Sequence, residues 1–273
     1  FSSRRRHTRS SVESRGLGDV YKRQVRESHL SMYNYDEQFF QYTNRVSARS
    51  AEVVVPLLYE ALHPKSVLDL GCGCGIWLAQ WLQTGAADVL GIDGGYVSEK
   101  DLAIPSSSFM ARDLSTPLDL GRRFDLAQSL EVAEHLQEPR ARGFVADLCR
   151  HSDLVVFGAA PPGQGGENHV NERPYDYWRA LFADEGYEPY DFIRPEVLNR
   201  QEVAPWHRYN PILYVQHGRA AELPEAVRAT HVPPGTSIRD RSPALYKARK
   251  AIVRQLPPWA TRALANARKR SLR

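Results

Sequence analysis

The feature that most constrains this chain is the stretch Val67-Leu68-Asp69-Leu70-Gly71-Cys72-Gly73-Cys74-Gly75-Ile76-Trp77. A short apolar run ends in an acid and opens into alternating glycines. Residues 67–70 predict a buried strand, the glycines a tight turn, and the apolar residues from Ile76 the start of a helix. Glycine lets a backbone bend sharply and approach a ligand with no Cβ in the way, and a helix N-terminus just beyond it favours a polar group. A strand-to-helix turn also takes glycine for structural reasons alone. The residues downstream decide whether this is a nucleotide-binding loop.

A helix over 76–83, closing at Gly85, leads into a second apolar strand over 89–92 that ends at Asp93. That acid stands 22 residues beyond Gly71. In a strand–turn–helix–strand unit this spacing brings a carboxylate to the ribose hydroxyls of an adenosine held at the glycine turn. Further strands are predicted over 107–111, followed by Arg112-Asp113-Leu114, over 124–130 and over 154–157, with a helix over 138–150 before the last of them. Helices over 47–62 and 174–184 flank the set, and strands over 188–194 and 211–216 read as a hairpin-like edge. Strands alternating with helices predict an α/β fold with a doubly wound, mostly parallel sheet covered on both faces. Ligands bind such sheets at the carboxyl ends of the strands, where the glycines and acids named above all fall.

The formal charge of +4 would ordinarily raise nucleic-acid binding, but the charge is unevenly placed. Residues 1–24 hold seven of the 36 Lys and Arg and two of the 32 acids, with no apolar period, and resemble translated adapter sequence foreign to the folded domain. The remaining 249 residues carry a net charge of −1. Within them, residues 226–273 bring twelve basic side chains against Asp240 alone, which leaves residues 25–225 at −12. An acidic body with a basic tail argues against a phosphate backbone as partner, because that demands clustered Lys and Arg on the body itself.

Three cysteines, two of them in Cys72-Gly73-Cys74, make neither a disulfide framework nor a zinc site, so a reducing, cytoplasmic setting is expected. No stretch approaches the roughly 18 to 20 apolar residues of a membrane-spanning helix. The aromatic residues Tyr33, Tyr35, Phe39, Phe40 and Tyr42 precede the first helix and read either as packing or as a cap on the ligand pocket. Residues 158–173 form a long Gly/Pro/Ala-rich loop, the kind of connection that usually carries function. The domain is expected over 25–217, a linker over 218–242, and a basic amphipathic helical tail over 243–273. In that tail Leu245, Ala248, Ile252 and Leu256 share one face and Lys247, Lys250 and Arg254 the other, followed by a second short helix with Trp259, Ala263, Leu264 and Ala267. Such an element suits an anionic membrane surface, including the inner membrane face, or a protein partner, or packing on its own domain.

With these residues in place, the sequence resembles the class I S-adenosylmethionine-dependent methyltransferases over residues 33–217. The resemblance implies a seven-stranded Rossmann-like sheet and S-adenosylmethionine as cofactor. By position, Asp69, Gly71, Gly73 and Gly75, with Cys72 between them, match the first motif, whose backbone meets the methionine part of the cofactor. Asp93 matches the acid that accepts the ribose hydroxyls, Asp113 and Leu114 the adenine contacts, and Ser129 lies at the fourth strand's end beside them. The stretches 124–136, 159–166 and His169-Val170-Asn171-Glu172 look like a bacterial subgroup associated with surface-polysaccharide gene clusters. A nicotinamide dehydrogenase would instead carry G-x-G-x-x-G, whose spacing the glycines here do not follow.

Methyl transfer from a sulfonium needs an aligned acceptor and a way to remove its proton, and an alcohol needs a base or a metal for this. The candidate is Glu131-Val132-Ala133-Glu134-His135. Read as a helix, it puts Glu131 and His135 at i and i+4, with Glu134 on the same face. Two carboxylates and an imidazole suit Mg²⁺ or Mn²⁺. The segment resembles the metal-binding residues of small-RNA 2′-O-methyltransferases and of ubiquinone-pathway catechol O-methyltransferases, with His169 as a further ligand. Glu131, Glu134, His135 and His169 are therefore the candidate metal set, and His135, His169 and Glu134 the candidate catalytic groups; the alternative roles are a metal-free base or a purely structural lining. His169, Asn171, Glu172 and Tyr175 are placed to form a lid, and Trp206, His207 and Tyr209 an acceptor wall, with Trp178 in the core. The expected function is O-methylation of a small-molecule or glycan acceptor, a sugar hydroxyl above all. The alternatives are metal-dependent RNA 2′-O-methylation and a non-catalytic module that binds the cofactor.

Overall fold

The computed structural model describes residues 37–257 and 260, with side chains from Asn44 onward. The readings of residues 1–24, of the aromatics ahead of residue 44 and of the second tail helix lie outside these. Helix α1 (Glu37–Leu62) comes first, then β1 (Ser66–Leu70), α2 (Ile76–Thr84), β2 (Asp88–Asp93), β3 (Phe109–Ala111), β4 (Leu126–Leu130), α3 (Glu138–His151) and β5 (Leu154–Gly158). Next are α4 (Tyr175–Asp184), β6 (Tyr187–Tyr190), α5 (Ile193–Val197), α6 (Pro205–Tyr209), β7 (Ile212–Gln216), α7 (Glu225–Arg228) and α8 (Ala244–Val253). No helix among the described residues is long and apolar enough to cross a membrane.

All seven strands join one sheet in the order β3-β2-β1-β4-β5-β7-β6. β1 to β5 run parallel, and β7 is antiparallel to both β5 and β6. The period-two alternation of a strand sends Val67, Leu126, Val156 and Leu213 to one face, against α1 and α2, and Leu68, Leu70, Ala127, Val155 and Phe157 to the other, against α3 and α4. Both faces are dry, which is why these strands read as continuous apolar runs. The second face is rich in aromatics: the rings of Phe182 and Tyr214 stack at 3.8 Å, and Trp178 lies 5.1 Å from Phe157. Trp178 is core, as expected.

Four expectations differ from the structure. The edge is antiparallel, but it is no simple hairpin, since α5 and α6 separate β6 from β7. The chain leaves the sheet at Asp191, where the expected strand was to continue to 194. Asp191 there pairs with Arg194 at 2.6 Å and with Arg241 at 2.5 Å, burying Arg194 completely and turning its segment into α5.

The stretch expected as a linker, 218–242, lies packed on the domain. Val227 is fully buried, the Val232 amide donates to the Pro189 carbonyl, and Arg179 donates to the carbonyls of Val232 and Pro233. The tail helix α8 also docks by a different face than its polarity predicts. Lys250 and Val253 are buried, with the Lys250 ammonium on Asp240 at 2.6 Å, while Leu245 and Ile252 point outward. A lysine buries its aliphatic stem readily once its head has a carboxylate, and Asp240 supplies one.

Candidate active site

Five strands deliver their carboxyl ends to one edge of the sheet, and the loops that follow them build the site. After β1, Gly71, Gly73 and Gly75 all take positive φ (90°, 53° and 78°), and Gly75 caps α2. At Gly71 the requirement is doubled, because a Cβ there would overlap the side chain of Val132. The glycine turn and the carboxylate–histidine segment after β4 are therefore in van der Waals contact. Cys72 is buried, and its Sγ sits where a Cβ on Gly91 would go.

Asp69 is buried, accepts from Gln128 Nε2 at 2.8 Å, and has its carboxyl pushed up to about 7, chiefly by burial. Asp93 ends β2 and reaches the turn directly: Oδ2 accepts from the Gly73 amide at 2.6 Å, and Oδ1 from the Gly94 amide at 2.7 Å and from the Tyr96 hydroxyl. Two of the candidate site residues, Asp93 and Gly73, thus meet, and Tyr96, which the sequence did not single out, shares the acid. Asp113 follows β3 on the surface and accepts from the Ser115 amide at 2.9 Å, while Leu114 is half-buried beside it. Ser129 gives its hydroxyl to the Leu70 carbonyl at 2.7 Å, so it links β4 to the end of β1.

Beyond β4 the structure departs from the expected helix. Glu131 takes the left-handed conformation, φ 61°, and only Ala133–His135 forms a single 3₁₀ turn. The acids and the histidine converge through this strained corner and not through i, i+4 spacing. A left-handed non-glycine residue costs about 1–3 kcal/mol and persists where its surroundings fix it. Here Asn210 Nδ2 donates to Glu131 Oε1 at 2.7 Å, Gln164 Nε2 donates to Oε2, and Asn210 also reaches Gln164 Oε1 at 2.9 Å. The Tyr175 hydroxyl holds Asn210 from behind at 3.1 Å. Burial raises the Glu131 carboxyl and the two amides oppose that.

Glu134 is fully buried, and neither of its carboxylate oxygens has a hydrogen-bond partner. Burial, and then the neighbouring Glu131 carboxylate, push it well above the usual carboxylate range. Its backbone carbonyl accepts from the amides of Val170 and Asn171 at 2.9 Å, which brings the glycine-rich loop over it. His169 Nε2 then lies 4.0 Å from Glu134 Oε1, while His169 Nδ1 faces Glu172 Oε1 at 2.8 Å. Glu172 also accepts from the amides of Gly163 at 2.7 Å and Gly165 at 2.8 Å. His135 stands edge-on to His169 with ring centroids 4.9 Å apart, its Nδ1 3.2 Å from the Asn168 carbonyl. Burial pulls His135 down to about 3, so it is neutral, and a carbonyl only accepts, so the proton sits on Nδ1.

Glu134, His135 and His169 each bring one donor atom within 4.8 Å of the others. The fourth residue of the expected metal set, Glu131, is outside this group and occupied by the two amides. Gln164, Asn168 and Asn210 were not assigned roles from sequence, and only Asn210 lay outside the stretches that drew notice. Of the expected acceptor wall, His207 is buried and edge-on to Trp77 at 5.0 Å, at the start of α2, and Tyr209 is buried. Trp206 is half-buried next to them.

Residues 40–155 match a family model described as a methyltransferase domain. This span holds the glycine turn, Asp93, Asp113 and the Glu131–His135 segment, and stops before the glycine-rich loop. The sheet that carries this span is a mostly parallel, Rossmann-like α/β sheet. The match supports a methyltransferase domain over these residues. No curated protein matches the sequence. Similar solved structures include an O-methyltransferase family protein from Burkholderia thailandensis, at 13% identity over 73% of this chain and 67% of that one, with a TM-score of 0.49. Another is the magnesium protoporphyrin IX methyltransferase of Synechocystis, at 19% identity over 72% and 94% with a TM-score of 0.45. A third is the sugar N-methyltransferase KedS8 of a Streptoalloteichus species, at 17% identity over 78% and 99% with a TM-score of 0.46.

Proposed function

We propose that this protein transfers the methyl group of S-adenosylmethionine to an oxygen of a small acceptor, a hydroxyl of a sugar or glycan precursor. The observation that carries the reading is the His169–Glu172 pair beside the buried Glu134, on the segment whose Val132 packs against the Gly71 turn. The acceptor oxygen attacks the methyl carbon, a C–O bond forms, the S–C bond breaks, and the sulfonium leaves as a neutral thioether. The hydroxyl proton passes to Nε2 of His169. Glu172 holds the ring by its Nδ1–H and stabilises the imidazolium, as a carboxylate does for a base histidine. The loop through Gly163 to Asn171 excludes water from this exchange. The sugar as acceptor class rests on the resemblance of residues 124–136, 159–166 and 169–172 to the polysaccharide-associated subgroup. The three free, buried cysteines fit a reducing, cytoplasmic setting.

A second reading is favoured by one observation, the buried Glu134 carboxylate, which makes no well-formed hydrogen bond. Glu134, His135 and His169 would hold a divalent ion, and two imidazoles with one carboxylate suit Mn²⁺ better than Mg²⁺, which prefers oxygen ligands throughout. Such an ion would supply Lewis-acid activation of the acceptor hydroxyl.

Incubating the full chain with methyl-tritiated S-adenosylmethionine, a pool of nucleotide sugars and bulk RNA tests the function. Alkali-resistant label in the sugar fraction is expected. Label appearing only in RNA, or only as alkali-labile ester, would overturn the oxygen-of-a-sugar reading.

A further inference from the structure

Among the described residues only three large apolar side chains are exposed, and two of them lie on α8: Leu245 at 87% and Ile252 at 65%. They are seven residues apart, two helical turns or about 10 Å along one side of the helix, with exposed Ala248 between them. The opposite side, Lys250 and Val253, is the buried one. α8 thus stands on the domain with an apolar stripe turned away from it. Arg249 borders that stripe, and Lys247 and Arg254 are exposed on the other flank of the helix's outer side. No acid occurs from Arg241 to the end of the sequence, which goes on to bring Arg262, Arg268, Lys269, Arg270 and Arg273 with Trp259 and Leu264 among them.

We propose that the outer face of α8 docks on an anionic lipid bilayer, lying in the plane of the interface with Leu245 and Ile252 in the headgroup–acyl boundary. Stable attachment of a peripheral helix takes two signals, apolar insertion and electrostatic attraction to acidic lipid, and this helix presents both on one exposed surface. A solvated helix would have no reason to expose Leu245 and Ile252 while burying a lysine. The surface is fixed to the domain by Lys250 on Asp240, by Tyr246 against Tyr209 with ring centroids 5.4 Å apart, and by Arg249 donating to the Gln164 carbonyl at 3.0 Å. It also rests on the glycine-rich loop, since a Cβ at Gly163 would overlap the Lys250 carbonyl. A bilayer on α8 therefore lies over the loop whose Gln164 side chain holds Glu131. The inference is independent of which acceptor is methylated.

Co-sedimentation of the full chain with phosphatidylcholine vesicles and with vesicles containing phosphatidylglycerol tests it. Binding to the acidic vesicles only is expected, weakening with salt. The exposed-site variant L245S/I252S and the charge variant K247E/R254E should each lower the partition coefficient about tenfold or more. Unchanged thermal melting of both variants shows that the domain is intact. Failure of the wild type to bind acidic vesicles, or wild-type binding by L245S/I252S, would overturn the proposal. So would a dimer in solution that L245S/I252S dissociates, because the face would then belong to a second copy of the chain.

Discussion

The carboxylate of Glu172 faces the ring of His169 at 2.8 Å and in the same geometry takes the amide protons of Gly163 and Gly165. One acid thereby orients the histidine and shapes the loop that closes the site. The histidine's other nitrogen is left directed at Glu134.

From this pair the first prediction follows. Replacing Glu172 by Gln keeps the size but removes the charge and one acceptor, so kcat should fall roughly 10- to 100-fold, less than the loss of a whole general base, while the affinity for S-adenosylmethionine is unchanged. E172D, which keeps the charge, should retain more activity than E172Q. Single-turnover assays beside calorimetric titration of the cofactor check this, and an equal loss of cofactor affinity would contradict a role confined to the acceptor side.

Asp69 sets a pH dependence of stability. Its carboxyl titrates near 3.8 when unfolded and at about 7 when folded, raised mainly by burial, which the Gln128 amide opposes and the Asp93 carboxylate reinforces. The folded protein binds the proton more tightly, so its stability is fullest below about pH 4 and is lost as the pH rises toward about 7, by at most about 1.4 kcal/mol per unit. D69N keeps an oxygen for the Gln128 donor and cannot ionise. Denaturant unfolding from pH 4 to 8 should show a shallower slope for D69N than for the wild type; parallel curves would contradict it.

Metal binding separates the two readings of the Glu134–His135–His169 cluster. If His169 is the base, Mn²⁺ added to the full chain stays free in its electron paramagnetic resonance spectrum at micromolar concentrations, and EDTA leaves turnover intact. If the second reading holds, Mn²⁺ is bound stoichiometrically, and the signal of the free ion returns with E134Q, which removes the one carboxylate facing both imidazoles.

Much of the sheet was legible because buried parallel strands leave continuous apolar runs, and five of them end in the residues that build the site. The glycine turn and Asp93 were legible for a stronger reason: only glycine fits against Val132 at Gly71, and the two oxygens of Asp93 take the amides of Gly73 and Gly94 at the end of β2. The Glu131–His135 corner was misread as a helix, since nothing in five residues signals that Glu131 adopts φ 61°. What fixes it, Asn210, lies 79 residues away in sequence. The tail misled for a similar reason. Polarity placed Lys250 outward, whereas Asp240, ten residues earlier, gives its ammonium a partner and draws it in. Local pattern records faces and turns; pairings made by the folded chain lie beyond its range.

The most direct test of the account is rapid-quench transfer of tritiated methyl from S-adenosylmethionine to a competent sugar acceptor by wild type and H169A, with cofactor affinity measured on both. The account predicts transfer by the wild type, a loss of about 10²- to 10⁴-fold in H169A, and equal cofactor binding by the two. Transfer by H169A at the wild-type rate, or a wild type that binds no S-adenosylmethionine, would contradict it.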